Sequence, residues 1–353
     1  MLRSLSHWVV CARGFWVVPL AMSAPKMHAA DDIDFLIATP KACSGTEAAP
    51  VQPDQPDPPA HDAFTRLLTR REPDPETLWA EAQPQVRRAG GVLVVDDSTP
   101  DEPYATAIEL VTRHGSGKHH AVVRGINLVP LLWTDGDRHL PCDYRVYDEV
   151  DRRTKNDHLG DTIRAAHARK FRPRCVVFDG WYRRPEDLKL IRNCGWVWLT
   201  RLRSDRLVNR DRQGTAALKD TAIAAAGTEV WRPGFGLVEV FGIATPNGGT
   251  AYRATNDLGM TDLTRVPSAD GSRAIAHYHR GIEPCTGIER CQCRTARAQR
   301  NHIGLALRAF LRFEAHCFAR GISWVEAKTA IIRDAVRAYL NRPHIRFPRP
   351  LTA

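Results

Sequence analysis

Gly91-Val92-Leu93-Val94-Val95-Asp96-Asp97-Ser98-Thr99 and Cys175-Val176-Val177-Phe178-Asp179-Gly180 decide how this chain reads. Each is a short apolar run rich in β-branched residues that stops at an acid. Such runs predict buried strands, because a strand covered on both faces is apolar without alternation. A carboxylate at the end of a buried strand sits on a rigid element and still meets solvent. Asp at that place is also ordinary turn chemistry, so either acid alone says little.

Working outward, Val122–Thr134 and His139–Tyr147 each contain a strand, the two joined as a hairpin at the turn Asp135-Gly136-Asp137. Asp157–Lys170 and Pro185–Asn193 read as helices, and Trp196–Leu202 as a further strand. Antiparallel strands followed by helix, strand, helix and strand predict an α/β domain with a mixed sheet. Residues 205–268 are rich in Gly, Thr and Val and read as a β-rich insertion. From about Arg290 the chain reads as helical: Ile303, Leu307, Phe310, Leu311 and Glu314 share a face. Ser323 and Glu326 form a capping box for a last helix ending near Tyr339. Upstream, five prolines between Pro50 and Pro59 predict an extended connector. Ala63-Phe64 with Leu67-Leu68, and then Asp74-Pro75-Glu76, mark two short helices.

The 353 residues, 43% hydrophobic, suffice for one large domain or two smaller ones. The formal net charge of +10 points to a polyanionic partner such as nucleic acid. No run reaches the ~18 apolar residues of a membrane span; broken apolar runs before residue 25 only imitate a signal peptide. The nine cysteines are scattered and read as reduced thiols of a cytoplasmic protein. Cys285, Cys291 and Cys293, with His302 beyond, lack the paired spacing of a zinc site.

Asp96 and Asp179 are therefore candidate ligands of Mg²⁺ or Mn²⁺, hard cations that take carboxylate oxygens. Asp97 is the alternative to Asp96, since adjacent acids cannot both point inward. Trp181 and Tyr182, after Asp179, read either as core or as a surface on which a displaced base stacks. From Arg280 to Arg349 there are 14 Lys and Arg against 5 Asp and Glu. Arg294, Arg297 and Arg300 recur every three residues on one side of a helix, a stripe that can neutralise phosphates without reading bases.

Several stretches together resemble the DDE-type transposases of bacterial insertion sequences. Val94-Val95-Asp96-Asp97-Ser98-Thr99 resembles the first acidic motif and Val177-Phe178-Asp179-Gly180-Trp181-Tyr182 the second. Leu188-Lys189-Leu190-Ile191 and Gly195-Trp196-Val197-Trp198-Leu199-Thr200-Arg201-Leu202 resemble the helix and strand next to that second motif. Arg294-Thr295-Ala296-Arg297-Ala298-Gln299-Arg300-Asn301-His302-Ile303, then Leu311-Arg312-Phe313-Glu314, resemble the terminal helices. The match runs from about Asp34 to Tyr339.

The resemblance implies a ribonuclease-H-like mixed sheet with a β-rich insertion and C-terminal helices. Residues 1–30 read as an atypical N-terminus and 31–90 as a helical and linker region. The catalytic core would run over 91–204, with the insertion at 205–268, the helical part of the core at 269–342 and a tail at 343–353. The resemblance implies metal-dependent hydrolysis at transposon ends, then attack of the freed 3′-hydroxyl on target DNA, with DNA as partner and a homodimer as the assembly. Asp96 and Asp179 would be the catalytic metal ligands.

The pattern breaks at the third acid. In Arg273-Ala274-Ile275-Ala276-His277-Tyr278-His279-Arg280-Gly281-Ile282-Glu283 the family's glutamate position is Ala276 and its lysine position is Glu283. Glu283 and Glu289 are the acids left to replace the missing one. Three functions stay open: a working transposase, a defective copy that binds DNA without cutting it, and a ribonuclease-H-like nuclease not tied to transposition.

Overall fold

The computed structural model describes residues 24–41, 44–99, 105, 107–116, 121–180, 182, 184–211 and 214–343. Most of the atypical N-terminus, the tail, Trp181 and the stretch just after Thr99 lie outside these residues.

Four short helices come first: α1 (Ala29–Ala38), α2 (Gly45–Ala48), α3 (His61–Arg70) and α4 (Pro75–Ala82). The proline-rich segment between α2 and α3 is irregular, as expected. Asp74 caps α4 by accepting the Glu76 N–H, with Pro75 in the first turn, where its missing N–H costs nothing.

Next in the chain are the strands β1 (Val92–Val95), β2 (Thr112–Ser116), β3 (Ala121–Gly125), β4 (Leu128–Thr134) and β5 (His139–Val146). Every residue of β1 and β4 is buried. The stretch 122–134 contains the expected strand, β4, and also most of β3, with a break at Ile126-Asn127; β3 pairs with β2 outside the main sheet. Then come α5 (Lys155–Ala168), β6 (Cys175–Phe178), α6 (Pro185–Asn193) and β7 (Trp198–Leu202), close to the sequence expectation.

The β-rich stretch supplies β8 (Leu207–Val208), β9 (Ala216–Ala217), β10 (Thr228–Arg232), β11 (Gly236–Ala244) and β12 (Thr250–Thr255). It does not stand apart: β12 pairs antiparallel with β7, so β10–β12 widen the main sheet. The eight strands run in the order β10-β11-β12-β7-β6-β1-β4-β5. Within it, β1, β6 and β7 are parallel, while β4 is antiparallel to β1 and hairpinned to β5. This α/β mixed sheet, with helices after it, is the architecture that the sequence predicted.

Three long helices close the chain: α7 (Asp262–Thr286), α8 (Ala296–Arg320) and α9 (Trp324–Asn341). Helix therefore begins at Asp262, inside the stretch read as β-rich to 268. Pro267 and Gly271 hid it, since both lower helix propensity. α7 packs on β1 and β6. α8 is buried along most of its length and touches α1, α3, α4, α7, α9 and β5. Two contacts show how closely it fits. Gly304 leaves room for the Tyr144 hydroxyl, which a Cβ would meet at 2.5 Å. The Asn301 amide donates to the Leu68 and Arg71 carbonyls at 2.6 and 2.9 Å, satisfying the end of α3. The N-terminal helices thus dock on the C-terminal ones.

Candidate active site

β1 and β6 are parallel neighbours with Val95 opposite Phe178, so the next residues, Asp96 and Asp179, leave the sheet side by side. The carboxyl ends of parallel strands are where open α/β sheets bind ligands. Each carboxylate is oriented by a backbone amide beyond it. The Asp97 N–H donates to Asp96 Oδ1 at 2.8 Å, and the Gly180 N–H to Asp179 Oδ1 at 2.6 Å.

Asp97 has a different environment. Its Oδ2 accepts from Lys155 Nζ and, at 2.9 Å, from Asn127 Nδ2. Lys155 opens α5, where a cation opposes the helix dipole; the ion pair with Asp97 accounts for its place. Asn127 occupies the break between β3 and β4. Of the two adjacent acids, Asp96 lines the cleft and Asp97 is held by its partners.

The cleft has a volume of about 270 Å³ and is lined by Asp96, Asp179, Thr200, Arg201, Arg253 and Ile275, among others. Burial, then the charges of Asp97 and Asp179, push the Asp96 carboxyl up to about 7, against the pull of the Asp97 amide and Lys155. An acid so placed gains from a cation. Two carboxylates at one sheet edge, one of them destabilised in its charged form, fit Mg²⁺ or Mn²⁺ as hard oxygen donors. They provide two protein ligands: among the described residues no group of three His, Cys, Asp or Glu gathers as a metal site.

α7 brings Ile275 to the cleft, and the neighbouring Ala276 is exposed. Glu283 does not line the cleft; eight residues of helix place it about 12 Å along the axis from Ile275. Glu289 lies beyond the end of α7 and does not line the cleft either. The expectation that one of them stands in for the third acid therefore has no support in the geometry.

The three arginines are not a free stripe. Arg294 is exposed but precedes α8, before its N-cap Thr295. Arg297 pairs with Glu72 at 3.0 Å. Arg300 pairs with Asp148 at 2.6 Å and reaches Asp151 at 3.5 Å. Two of the three thus tie α8 to other parts of the fold, because acids from those parts face them. Tyr182 is buried and belongs to the core.

Sequence reading missed several residues around the acids. Lys155 and Asn127 carry no local signal, since their link to Asp97 is made only by folding. Arg201 lies in an apolar strand motif that gives it no signal of its own, and Arg253 lies on β12, whose pairing with β7 no pattern reveals. His279, one helical turn beyond Ile275, has a buried Nε2 without a partner. Burial pushes its imidazole down to about 4, opposed by the charge of Asp97.

Residues 60–222, which include both acids, match the family model described as DDE superfamily endonuclease. No curated protein matches the chain. Among solved structures, the chain is similar to the piggyBac transposase in its synaptic complex with hairpin DNA. The TM-score is 0.46 and the identity 11%, over 91% of this chain and 74% of that one.

Proposed function

We propose, on the premise that residues 60–222 belong to the DDE superfamily of endonucleases, that this protein is a DNA transposase of an insertion sequence. It cleaves the ends of its element and joins the freed 3′-hydroxyls to target DNA. The observation that carries this reading is the adjacency of Asp96 and Asp179 at the carboxyl edge of β1 and β6.

Asp96 and Asp179 would hold Mg²⁺ or Mn²⁺, which would supply activation of an attacking oxygen and stabilisation of the leaving oxygen of a phosphodiester. The Asp97 and Gly180 amides fix the direction of the two carboxylates. Lys155 and Asn127 keep the third negative charge, on Asp97, turned away from the cleft. Residues 91–204 and the helices from Asp262 onward form the catalytic core. The intervening β-rich stretch extends its sheet, and residues 31–90 dock on α8. DNA ends and target DNA are the partners, a homodimer is the assembly, and the cytoplasm is the compartment.

Ala276 favours a second reading. It follows the cleft-lining Ile275, and a methyl group can neither coordinate a metal nor accept a proton. On this reading the chain is a catalytically defective transposase that retains only DNA binding. Both readings are tested on supercoiled plasmid carrying the element's ends, with Mg²⁺ or Mn²⁺, using wild type, Asp179→Asn and the double variant Ala276→Glu/Glu283→Lys. Nicking by wild type that Asp179→Asn loses supports the active enzyme. Nicking seen only in the double variant supports the defective copy on a sound scaffold. No nicking by any of the three contradicts the assignment of the third-acid position to Ala276.

A further inference from the structure

The last helix is seated by its first half. Ala327 of α9 is buried, Trp324 stacks on His277, and the Lys328 ammonium donates to the carbonyls of Ile37 and Cys285. From Ile332 to Pro343 every residue is exposed except Tyr339, which is half-buried. The helix ends at Asn341, so about 15 Å of it stands out from the body.

That free half is not polar all round. Ile332, Ala335, Val336, Tyr339 and Leu340 recur at the spacing of one apolar face. Val325 and Thr329, one and two turns earlier, continue the row along the seated half. Val325 is 75% exposed, Val336 51% and Leu340 69%. Single exposed apolar side chains are ordinary, but a row of them at helical spacing marks a surface that another surface covers. Beside the seated half lies a groove of about 380 Å³, lined by Gly281, Pro284 and Cys285 of α7 and Trp324, Val325 and Thr329 of α9, among others.

Charge selects the occupant. Glu326 and Arg337 are both exposed. Eleven residues are close to three turns, so both flank the apolar row on the same side. A second α9 laid antiparallel sets the acid of each copy against the base of the other, and the two-fold axis makes the pairing reciprocal. A parallel copy keeps them about 16 Å apart. Antiparallel order also lays the free half of each helix along the seated half of the other, where the groove is. Val336 and Leu340 of the partner subunit then straddle Val325. Arg337 meanwhile pairs with Asp334 at 2.6 Å on the open surface, an exposed contact too weak to hold it there.

We propose that α9 is a dimerisation helix, which pairs antiparallel with α9 of a second copy of this chain and covers the row from Val325 to Leu340. This interface rests on the homodimer proposed above and is independent of the chemistry at Asp96 and Asp179.

The test is the mass of the full chain in solution, by light scattering after size exclusion over a concentration series. Wild type should reach twice the 39.5 kDa of one chain. Val336→Glu/Leu340→Glu should keep the single-chain mass, with the circular dichroism of wild type, since both side chains are exposed. Glu326→Lys and Arg337→Glu should each dimerise about 10-fold more weakly or worse, because each sets like charges together twice. Mixed one to one, these two variants should recover the dimer, since every acid again meets a base. No recovery on mixing would overturn the antiparallel order. A wild-type dimer that Val336→Glu/Leu340→Glu leaves intact would overturn α9 as the interface and leave the homodimer standing. Single-chain mass for wild type at every concentration would overturn both and leave the acid-pair reading untouched.

Discussion

Asp96 and Asp97 are neighbours in sequence and differ because of what folding brings to each. Asp97 meets Lys155 and Asn127; Asp96 meets another acid across the β1–β6 pair. Strand-end position was legible from the β-branched runs, but which acid turns inward depended on residues 30 and 58 positions away. Asp32 on α1 shows the same physics away from the cleft. It is buried, its Oδ2 has no partner, and burial followed by the charge of Asp31 pushes its carboxyl up to about 7. Its folded pKa lies above the unfolded one, so its contribution to stability is complete below about pH 4 and is lost as pH rises through about 7. Asp32→Asn should therefore gain melting temperature over wild type, and the gain should grow between about pH 5 and pH 8. Thermal melts at both values check this; an equal difference at the two would show that Asp32 does not titrate as described.

Among the elements, α7 carries the most structure that the sequence concealed. The strands around it were readable from apolar runs, and α8 from its apolar face. The start of α7 was masked by Pro267 and Gly271, and its docking partner lies far along the chain. Gly281 of α7 touches the Trp324 ring at the start of α9, where a Cβ would collide with it. That ring stacks on His277 with centroids 4.5 Å apart, and its Nε1 donates to Glu314 of α8. Glu314 also accepts the His139 N–H at 2.8 Å, so one buried carboxylate links β5, α8 and α9. Gly281→Ala should cost about 1–3 kcal/mol by overpacking and should loosen α9 first. Urea denaturation with limited proteolysis reads both effects. Wild-type stability together with an unchanged cleavage pattern would show that the Gly281–Trp324 contact does not hold α9.

For the whole molecule, the basic surplus and the acidic cleft have to be placed together. The net charge of +10 was visible at once, but its distribution was not. Arg297, Arg300, Arg308 and Arg312 of α8 are paired with Glu72, Asp148 and Glu81 inside the molecule. The arginines that face the cleft come instead from β7 and β12. Sequence patterns find strands and helices, yet pairing β12 with β7 is a long-range choice made by packing, and it is what joins a basic pair to an acidic one. The central claim is that Asp96 and Asp179 together bind a divalent cation. It can be tested whether or not the protein cuts DNA, by titrating Mn²⁺ into wild type and Asp179→Asn at about pH 8 and following free Mn²⁺ by electron paramagnetic resonance. Proton competition at Asp96 predicts tighter binding there than at about pH 6. Saturable Mn²⁺ binding by wild type that Asp179→Asn loses is the result the account predicts; the same binding by both proteins would contradict it.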